Sequence, residues 1–204
     1  MEKFNQKNIH TLIQNILTLR YDPSQHSTLP VLDSNNFTSS KKLDLTFVEN
    51  TLKNSIQTKL ESTKNLTISL SGGVDSTLVL ALIRKTFPEL KINALSIKFA
   101  HSNDETLMAK KIADFFEAEH EIIDIDNYLL ELPTAISITE MPFWDIHWYY
   151  IAKNAKGKSN FLASGDGGDE LFGGYTFRYS KFLSLIKPDS TPLEKIRAYL
   201  SCHE

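Results

Sequence analysis

Two glycine-rich stretches, each placed directly after a short apolar run, constrain the fold of this chain more than any other feature. The first is LSGGVDS at 70–76, after the run 66–70, and the second is SGDGGDELFGGY at 164–175, after the run 160–163. A helical pattern follows each stretch, so each predicts a strand, a tight turn and a helix. Glycine allows such a turn to point its backbone N–H groups outward, and the helix N-terminus adds positive charge. Both stretches therefore predict anion-binding loops suited to phosphate.

The apolar pattern along the rest of the chain alternates between strand and helix. At the start of the helix predicted over 47–62, Thr46 and Glu49 match a capping box. The alternation predicts an α/β fold, a doubly wound parallel sheet with helices on both faces, in which ligands bind at the carboxyl ends of the strands. One crevice can then hold both loops. We expect strands at 66–70, 91–97, 120–125 and 160–164. We expect helices over 47–62, 76–87, 104–118, 127–139 (with a break at Pro133) and 170–186, together with one helix that ends at about 156 and one that begins at 192.

Each predicted loop also carries an aspartate, Asp75 in the first and Asp169 in the second. A hard cation such as Mg²⁺ prefers carboxylate and phosphate oxygens, so the pair predicts magnesium bound together with the phosphate. The same residues can instead act as helix N-caps, a role that aspartate often takes. The residues by themselves indicate a nucleotide-binding enzyme and leave both roles open.

Composition limits the class of protein. A chain of 204 residues, 41% of them hydrophobic, supports one substantial core, and we expect an N-terminal helix and linker over 1–45 before one domain over 46–204. A formal net charge of -3 without a block of like charge disfavours nucleic acid as the main partner. No run approaches the roughly 18 apolar residues of a membrane span. The lone Cys202 excludes an internal disulfide, and with His203 it is expected to form a solvated tail. We expect a cytoplasmic protein with no membrane partner.

The two glycine-rich stretches also resemble known motifs. The first lacks the Gly-x-x-x-x-Gly-Lys spacing of a Walker A loop and resembles the pyrophosphate loop of the ATP pyrophosphatases, which cleave ATP between the α and β phosphates. Because several branches share that loop, it indicates no substrate by itself. The second stretch resembles the signature of the asparagine synthetase family, in its synthetase domain. Residues 140–145 (EMPFWD) are similar to that family's acidic Pro-Phe-x-Asp segment, and the resemblance covers roughly 46–180.

The resemblance implies a Rossmann-like, adenine nucleotide alpha hydrolase-like fold and a reaction that uses ATP and Mg²⁺. A carboxylic acid such as aspartate would be activated as an acyl-adenylate with release of pyrophosphate, and ammonia would then form the amide. Many family members carry Glu where this chain has Asp166, which the resemblance makes the general base. The family pattern assigns Leu70, Ile97, Ser164 and Gly165 to adenosine, Ser71, Gly72, Gly73 and Ser76 to the phosphates, and Asp75 and Asp169 to magnesium.

Two departures from the family pattern bear on activity. Glutamine-dependent members begin with a glutaminase domain whose catalytic cysteine is the first mature residue, whereas Glu2 follows the initiator methionine here. We therefore expect ammonia from solution or from a separate glutaminase subunit. The chain also ends soon after the second motif, so we expect that it lacks the family's C-terminal helical region. A partner, or another copy in a homo-oligomer, would then complete the site.

Other functions and plainer interpretations stay open. The chain can be a non-catalytic adenine-nucleotide-binding subunit or regulator, while an ATP pyrophosphatase acting on tRNA is disfavoured by the mildly acidic charge and the lack of a thiol pair. The aromatic residues of 143–150 are expected in the core or at a protein interface. Arg178 and Lys181 are expected on a solvated helix face instead of at a phosphate.

Overall fold

The fold is a four-stranded parallel sheet covered by helices. A computed structural model describes residues 10–11, 13–15, 35, 44–100, 104–139 and 146–202. Within these residues the strand order is β3-β2-β1-β4, and every neighbouring pair is parallel. The predicted doubly wound α/β sheet is therefore confirmed. The strands are β1 (Asn65–Ser69), β2 (Lys91–Phe99), β3 (Glu119–Ile125) and β4 (Leu162–Ala163).

The helices fall close to their predicted positions. The predicted helix over 170–186 is split at Gly173, whose φ of 74° ends the first segment. The predicted stretch over 127–139 is interrupted just before Pro133, as expected, into a 3₁₀ turn and a helix that begins at Leu132. Pro133 fits the first turn of that helix, where its missing N–H has no intrahelical acceptor. The helices are α1 (Leu45–Leu60), α2 (Val74–Thr86), α3 (Thr106–Phe115), α4 (Leu132–Thr139), α5 (His147–Ala155), α6 (Gly168–Phe172), α7 (Thr176–Leu185) and α8 (Pro192–Leu200), with a 3₁₀ turn at Tyr128–Leu130.

Both faces of the sheet are covered by helices at its central strands, β1 and β2. On β2, Ile92 and Ala94 pack into a core with residues of α1, α2 and α3, whereas Leu95 on the opposite face packs against Ile151 and Ala155 of α5. Successive strand residues point to opposite faces, so this alternation places helices on both sides, as predicted. The core also fixes the carboxyl ends of the strands relative to the helices that follow them.

The order of the strands switches direction at β1. The chain adds β2 and β3 on one side of β1 and then returns to add β4 on the other. Crevices at such switch points, beyond the carboxyl ends of the strands, are the usual ligand sites of open α/β sheets. Both glycine-rich loops leave strands at this point, the first after β1 and the second after β4.

The predicted capping box at the start of α1 is wrong. Asp44 caps the helix, since its Oδ1 accepts from Thr46 N at 2.9 Å and from Phe47 N at 3.3 Å. Glu49 instead pairs with Lys85 of α2 at 2.8 Å. The side chain of Phe47, in the first turn of α1, is 68% exposed and does not join the core.

The predicted solvated tail is also wrong at Cys202. Its side chain is buried, and Sγ lies 3.1 Å from Ala198 O on α8. Lys181 donates to Ser201 O at 2.9 Å and so ties α7 to the end of α8. Arg178 lies over the ring of Tyr175, 4.3 Å from its centroid.

Several predictions fall outside the described residues. These are most of the 1–45 helix and linker, the acidic segment 140–145 with Phe143 and Trp144, and His203. Of the described helices, none is both long and apolar enough to cross a membrane.

Candidate functional site

The first loop joins β1 to α2 and requires glycine at its second turn position. Gly72 has a φ of 82°, and a Cβ there would lie 3.1 Å from Ala109 N and 3.4 Å from Glu105 O. Backbone conformation and the close approach of α3 therefore both disfavour a side chain. As a result Gly72 faces α3, and the loop is held against the start of that helix.

Hydroxyl groups hold the turn at the start of α2. Ser71 Oγ accepts from Gly73 N at 3.2 Å and lies 3.2 Å from Ser76 Oγ. Thr77 Oγ1 donates to Gly73 O at 2.7 Å. Gly73 is the N-cap of α2 and has no side chain to cap it, so the polar groups of this turn come from serine, threonine and backbone N–H.

The second loop lies directly against the first. A Cβ on Gly165 would lie 2.5 Å from Ser76 N and 2.8 Å from Asp75 C. A Cβ on Gly168 would lie 2.7 Å and 2.8 Å from the two carboxylate oxygens of Asp75. The two loops thus approach to a distance that only glycine permits, and they form one crevice as expected.

An apolar cavity of about 380 Å³ lies beside the first loop, beyond the ends of β1 and β2. Leu70 and Ile97, which the family pattern assigns to adenosine, both line it. The other lining residues are Ser69, Ser71, Leu95, Ser96, Phe99, Glu105, Thr106, His147 and Ile151. An apolar wall with a few polar groups is typical of a small-molecule site.

A second, more polar cavity of about 230 Å³ lies between the two loops. It shares three residues with the apolar cavity, namely Ser69, Ser71 and His147, so the two cavities adjoin. Ser164 and Gly165 line this polar cavity and not the apolar one. The remaining lining residues are Gly73, Val74, Asp75, Ser76, Trp148 and Asp166.

The two predicted magnesium ligands lie in different surroundings. Asp75 lines the polar cavity, whereas the Asp169 carboxylate contacts the backbone at Gly174 and does not line it. No group of three or more His, Cys, Asp and Glu within the described residues could hold a metal by itself. Mg²⁺ usually binds through one or two carboxylates together with substrate phosphates, so Asp75 fits such an ion. A shared ion between the two aspartates stays a prediction.

Asp166, the predicted general base, is exposed at the rim of the polar cavity. Its backbone N–H donates to Ser164 Oγ at 3.4 Å. Asp166 therefore borders the cavity and is open to solvent, with which a general base exchanges protons.

Sequence reasoning missed His147, which lines both cavities. It is the first residue of α5, and Ile151 on the same helix packs against Leu95 of β2. No sequence motif marks this histidine. Only the packing of α5 on the sheet brings it to the junction of the two cavities.

Thr106 was also missed, and a charged network holds it at the apolar cavity. Asp104 accepts from Thr106 N at 3.1 Å and from Thr106 Oγ1 at 2.5 Å, and it pairs with Lys98 Nζ at 2.9 Å. The Thr106 hydroxyl, followed by Lys98, lowers the pKa of Asp104 to about 2. This network fixes the first turn of α3, which also contacts Gly72.

Comparison with known proteins agrees with this geometry. A family profile described as asparagine synthase matches residues 48–200. The chain is 32% identical over 155 residues to glutamine-hydrolyzing asparagine synthetase 1 of Bacillus subtilis, a match that covers 73% of this chain and 23% of that protein. It is 28% identical over 135 residues to a putative glutamine-hydrolyzing asparagine synthetase of Methanocaldococcus jannaschii, covering 61% of this chain and 25% of that protein.

A solved structure shares the fold. Glutamine-dependent NAD⁺ synthetase from Acinetobacter baumannii, solved with adenosine diphosphate, matches with a TM-score of 0.50 at 18% identity. The match covers 68% of this chain and 29% of that one, and it confirms the predicted adenine nucleotide alpha hydrolase-like fold. The chain spans about a quarter of the length of the curated asparagine synthetases it matches.

Proposed function

This chain belongs to the asparagine synthase family, and from that premise we propose that it is an ATP-dependent amide-forming ligase. Its acyl substrate is a carboxylic acid, with aspartate as the first candidate, and its nitrogen donor is ammonia. Ammonia comes from solution or from a separate glutaminase subunit. We also propose that the chain forms a homo-oligomer or associates with another subunit.

One observation carries the proposal: an apolar cavity adjoins a polar cavity built from two glycine-rich loops that contact each other. Adenosine needs an apolar wall with a few polar partners, and a triphosphate needs N–H and hydroxyl donors. The shared residues Ser69, Ser71 and His147 then lie where adenosine meets the α-phosphate.

The nucleotide is assigned to named residues. Leu70 and Ile97 contact adenosine in the apolar cavity, while Ser164 and Gly165, which the family pattern also assigns to adenosine, contact the nucleotide from the polar cavity. Ser71, Gly73 and Ser76 donate to the phosphates, and Gly72 keeps the loop close to α3. The hydroxyls of Ser71 and Ser76 lie 3.2 Å apart, which supports a shared role toward one phosphate.

Magnesium, when bound, neutralises phosphate charge and so favours attack at the α-phosphorus. Asp75 is the residue best suited to hold it, because Asp75 lines the polar cavity between the two loops. Asp169 is retained as the second proposed ligand. Its contact with Gly174 means that its side chain must turn toward the cavity to take this role.

The reaction proceeds in two steps, adenylation of the acid and amide formation. A carboxylate oxygen of the acid bonds to the α-phosphorus, and the bond to the β-phosphate oxygen breaks, releasing pyrophosphate. Ammonia then attacks the acyl carbon, a proton passes from the cationic adduct to the Asp166 carboxylate, and AMP leaves as the amide forms. An acyl-adenylate makes amide formation feasible because AMP is a far better leaving group than oxide.

The test is to incubate the chain with ATP, Mg²⁺, aspartate and ammonium and to measure AMP, pyrophosphate and asparagine. Formation of all three is expected. Asp166→Asn should still release pyrophosphate but form the amide at a rate lower by about 10²- to 10⁴-fold. Asp189→Asn, an exposed substitution in the loop between α7 and α8, is the matched control.

ATP binding by calorimetry without pyrophosphate release, tested with a set of carboxylic acids, would contradict the ligase proposal. That result would instead favour a nucleotide-binding subunit or regulator.

A further inference from the structure

Both backbone polar groups of Leu70, the first residue after β1, are hydrogen-bonded to β2. Leu70 N donates to Leu95 O at 2.9 Å, and Leu70 O accepts from Ser96 Oγ at 2.6 Å. The register of the two strands ends at the pair Ser69 and Leu95, so Leu70 lies just beyond the paired residues. The Ser96 hydroxyl therefore continues the pairing of β1 with β2 where the first loop begins.

A histidine on the next strand completes the connection. His120 Nε2 on β3 lies 2.8 Å from Ser96 Oγ. Because the single hydroxyl proton of Ser96 is directed at Leu70 O, its oxygen accepts from His120, which then carries a proton on Nε2. The result is a chain of donors, from His120 through Ser96 to Leu70, across three strands.

This chain reaches the candidate site through one peptide plane. The Leu70 carbonyl and the Ser71 N–H belong to the same planar unit, so fixing one fixes the direction of the other. Ser71 lines both cavities, and Ser96 itself lines the apolar cavity. Ser96 is only 4% exposed, so water competes little for its hydrogen bonds.

We propose that Ser96 and His120 are positioning residues that fix the Leu70–Ser71 peptide and thereby orient the first loop toward a nucleotide. Linked donors polarise one another, so the two contacts act as a unit. Burial lowers the pKa of His120, and Lys110 on α3 lowers it further, against the opposing effect of Asp114. These effects favour the neutral imidazole, and the hydrogen bond to Ser96 places its proton on Nε2. The link to nucleotide use rests on the proposed function.

The tautomer and the loop can be tested by NMR on the full chain without any activity. In the native chain, ¹⁵N shifts of His120 should show a protonated Nε2 and an unprotonated Nδ1. In Ser96→Ala, the Ser71 amide resonance should move or broaden, since its peptide plane is released. Ser159→Ala removes a hydroxyl that contacts Thr67 and Phe161 near the start of β4, and it should leave Ser71 unchanged.

Kinetics then separate positioning from general stability. Ser96→Ala and His120→Phe should raise the KM for ATP about tenfold with little change in melting temperature. His120→Gln supplies an amide N–H in place of Nε2–H and should restore most of the loss. An Nδ1–H tautomer, an unmoved Ser71 amide in Ser96→Ala, or an unchanged KM would each overturn the inference. A native chain that binds no ATP would refute the proposed function, while the two NMR readouts would still decide the positioning role.

Discussion

The carboxylate of Asp75 lies against the backbone of Gly168, so that a Cβ on this glycine would lie 2.7 Å and 2.8 Å from the two carboxylate oxygens. The two residues belong to separate loops, 93 positions apart in the chain. Their contact converts two local turns into one crevice. The neighbouring Gly167 has a φ of 89°, but no atom lies within 4 Å of its Cβ position. Gly167 and Gly168 are therefore a matched pair of positions for substitution.

Gly168→Ala should displace the Asp75 carboxylate and lower the rate of pyrophosphate release by about 10- to 100-fold, since small misplacements at a site are costly. Gly167→Ala forces alanine into a left-handed conformation, at a cost of about 1 to 2 kcal/mol, without touching Asp75. The melting temperature and the rate of pyrophosphate release should be measured for both variants and compared. Equal losses of activity in the two variants would contradict the role given to the loop contact.

Arg84 should support stability without touching the site. Its guanidinium donates to Phe116 O at 2.8 Å, Glu117 O at 2.9 Å, Pro88 O at 2.6 Å and Leu90 O at 2.9 Å. It thereby holds the loops that precede β2 and β3, including the left-handed turn at Glu117 with a φ of 53°.

Arg84→Lys keeps the charge but loses most of these bonds. Urea unfolding should show a loss of about 2 to 3 kcal/mol in the free energy of unfolding. Because these carbonyls lie at the amino ends of the strands, ATP affinity in native buffer should be nearly unchanged. A large loss of affinity would show that the two edges of the sheet are coupled.

Asp104 should contribute stability that depends on pH. Its pKa falls from an ordinary value of 3.8 to about 2 in the folded chain. A depressed folded pKa means that the carboxylate stabilises the fold fully above about pH 4 and loses this contribution as the pH falls through about 2. The melting temperature of the native chain should therefore exceed that of Asp104→Asn above pH 4, and the difference should shrink as the pH falls toward 2 and vanish below it. A constant difference across this range would contradict the assignment.

His147 should contact the α-phosphate, because it lies at the junction of the two cavities. His147→Ala should weaken AMP binding by about tenfold and leave adenosine binding unchanged, as expected for a lost charge-assisted hydrogen bond. Calorimetric titrations with both ligands measure this. Ala152→Ser, an exposed change on the same helix, is the control. Equal weakening of AMP and adenosine binding would place the effect on helix position instead.

The features that the sequence predicts well are local ones. The strands and both glycine turns follow from short-range pattern, because a buried parallel strand is an apolar run and a tight turn needs glycine. The convergence of the loops was also predictable, since parallel strands present their carboxyl ends at one edge.

The features that were missed depend on tertiary contacts. Ser96 and His120 are 24 residues apart, and no local signal links them. The N-cap of α1 was predicted wrongly because both Asp44 and Thr46 are favourable N-cap residues. In the structure Asp44 caps the helix, which therefore begins earlier than predicted. Asp166 lies in the loop before α6, whereas Asp169 lies in the first turn of that helix, so their spacing in the motif alone does not indicate which aspartate faces the cavity.

The central claim is that two separate loops form one nucleotide site. It is tested most directly by titrating the ¹⁵N-labelled chain with ATP and Mg²⁺ and following each backbone amide. We expect the amides of 71–76 and 164–168 to shift together with one dissociation constant, while those of α8 stay unchanged. Shifts confined to one loop, or different dissociation constants for the two, would contradict the claim.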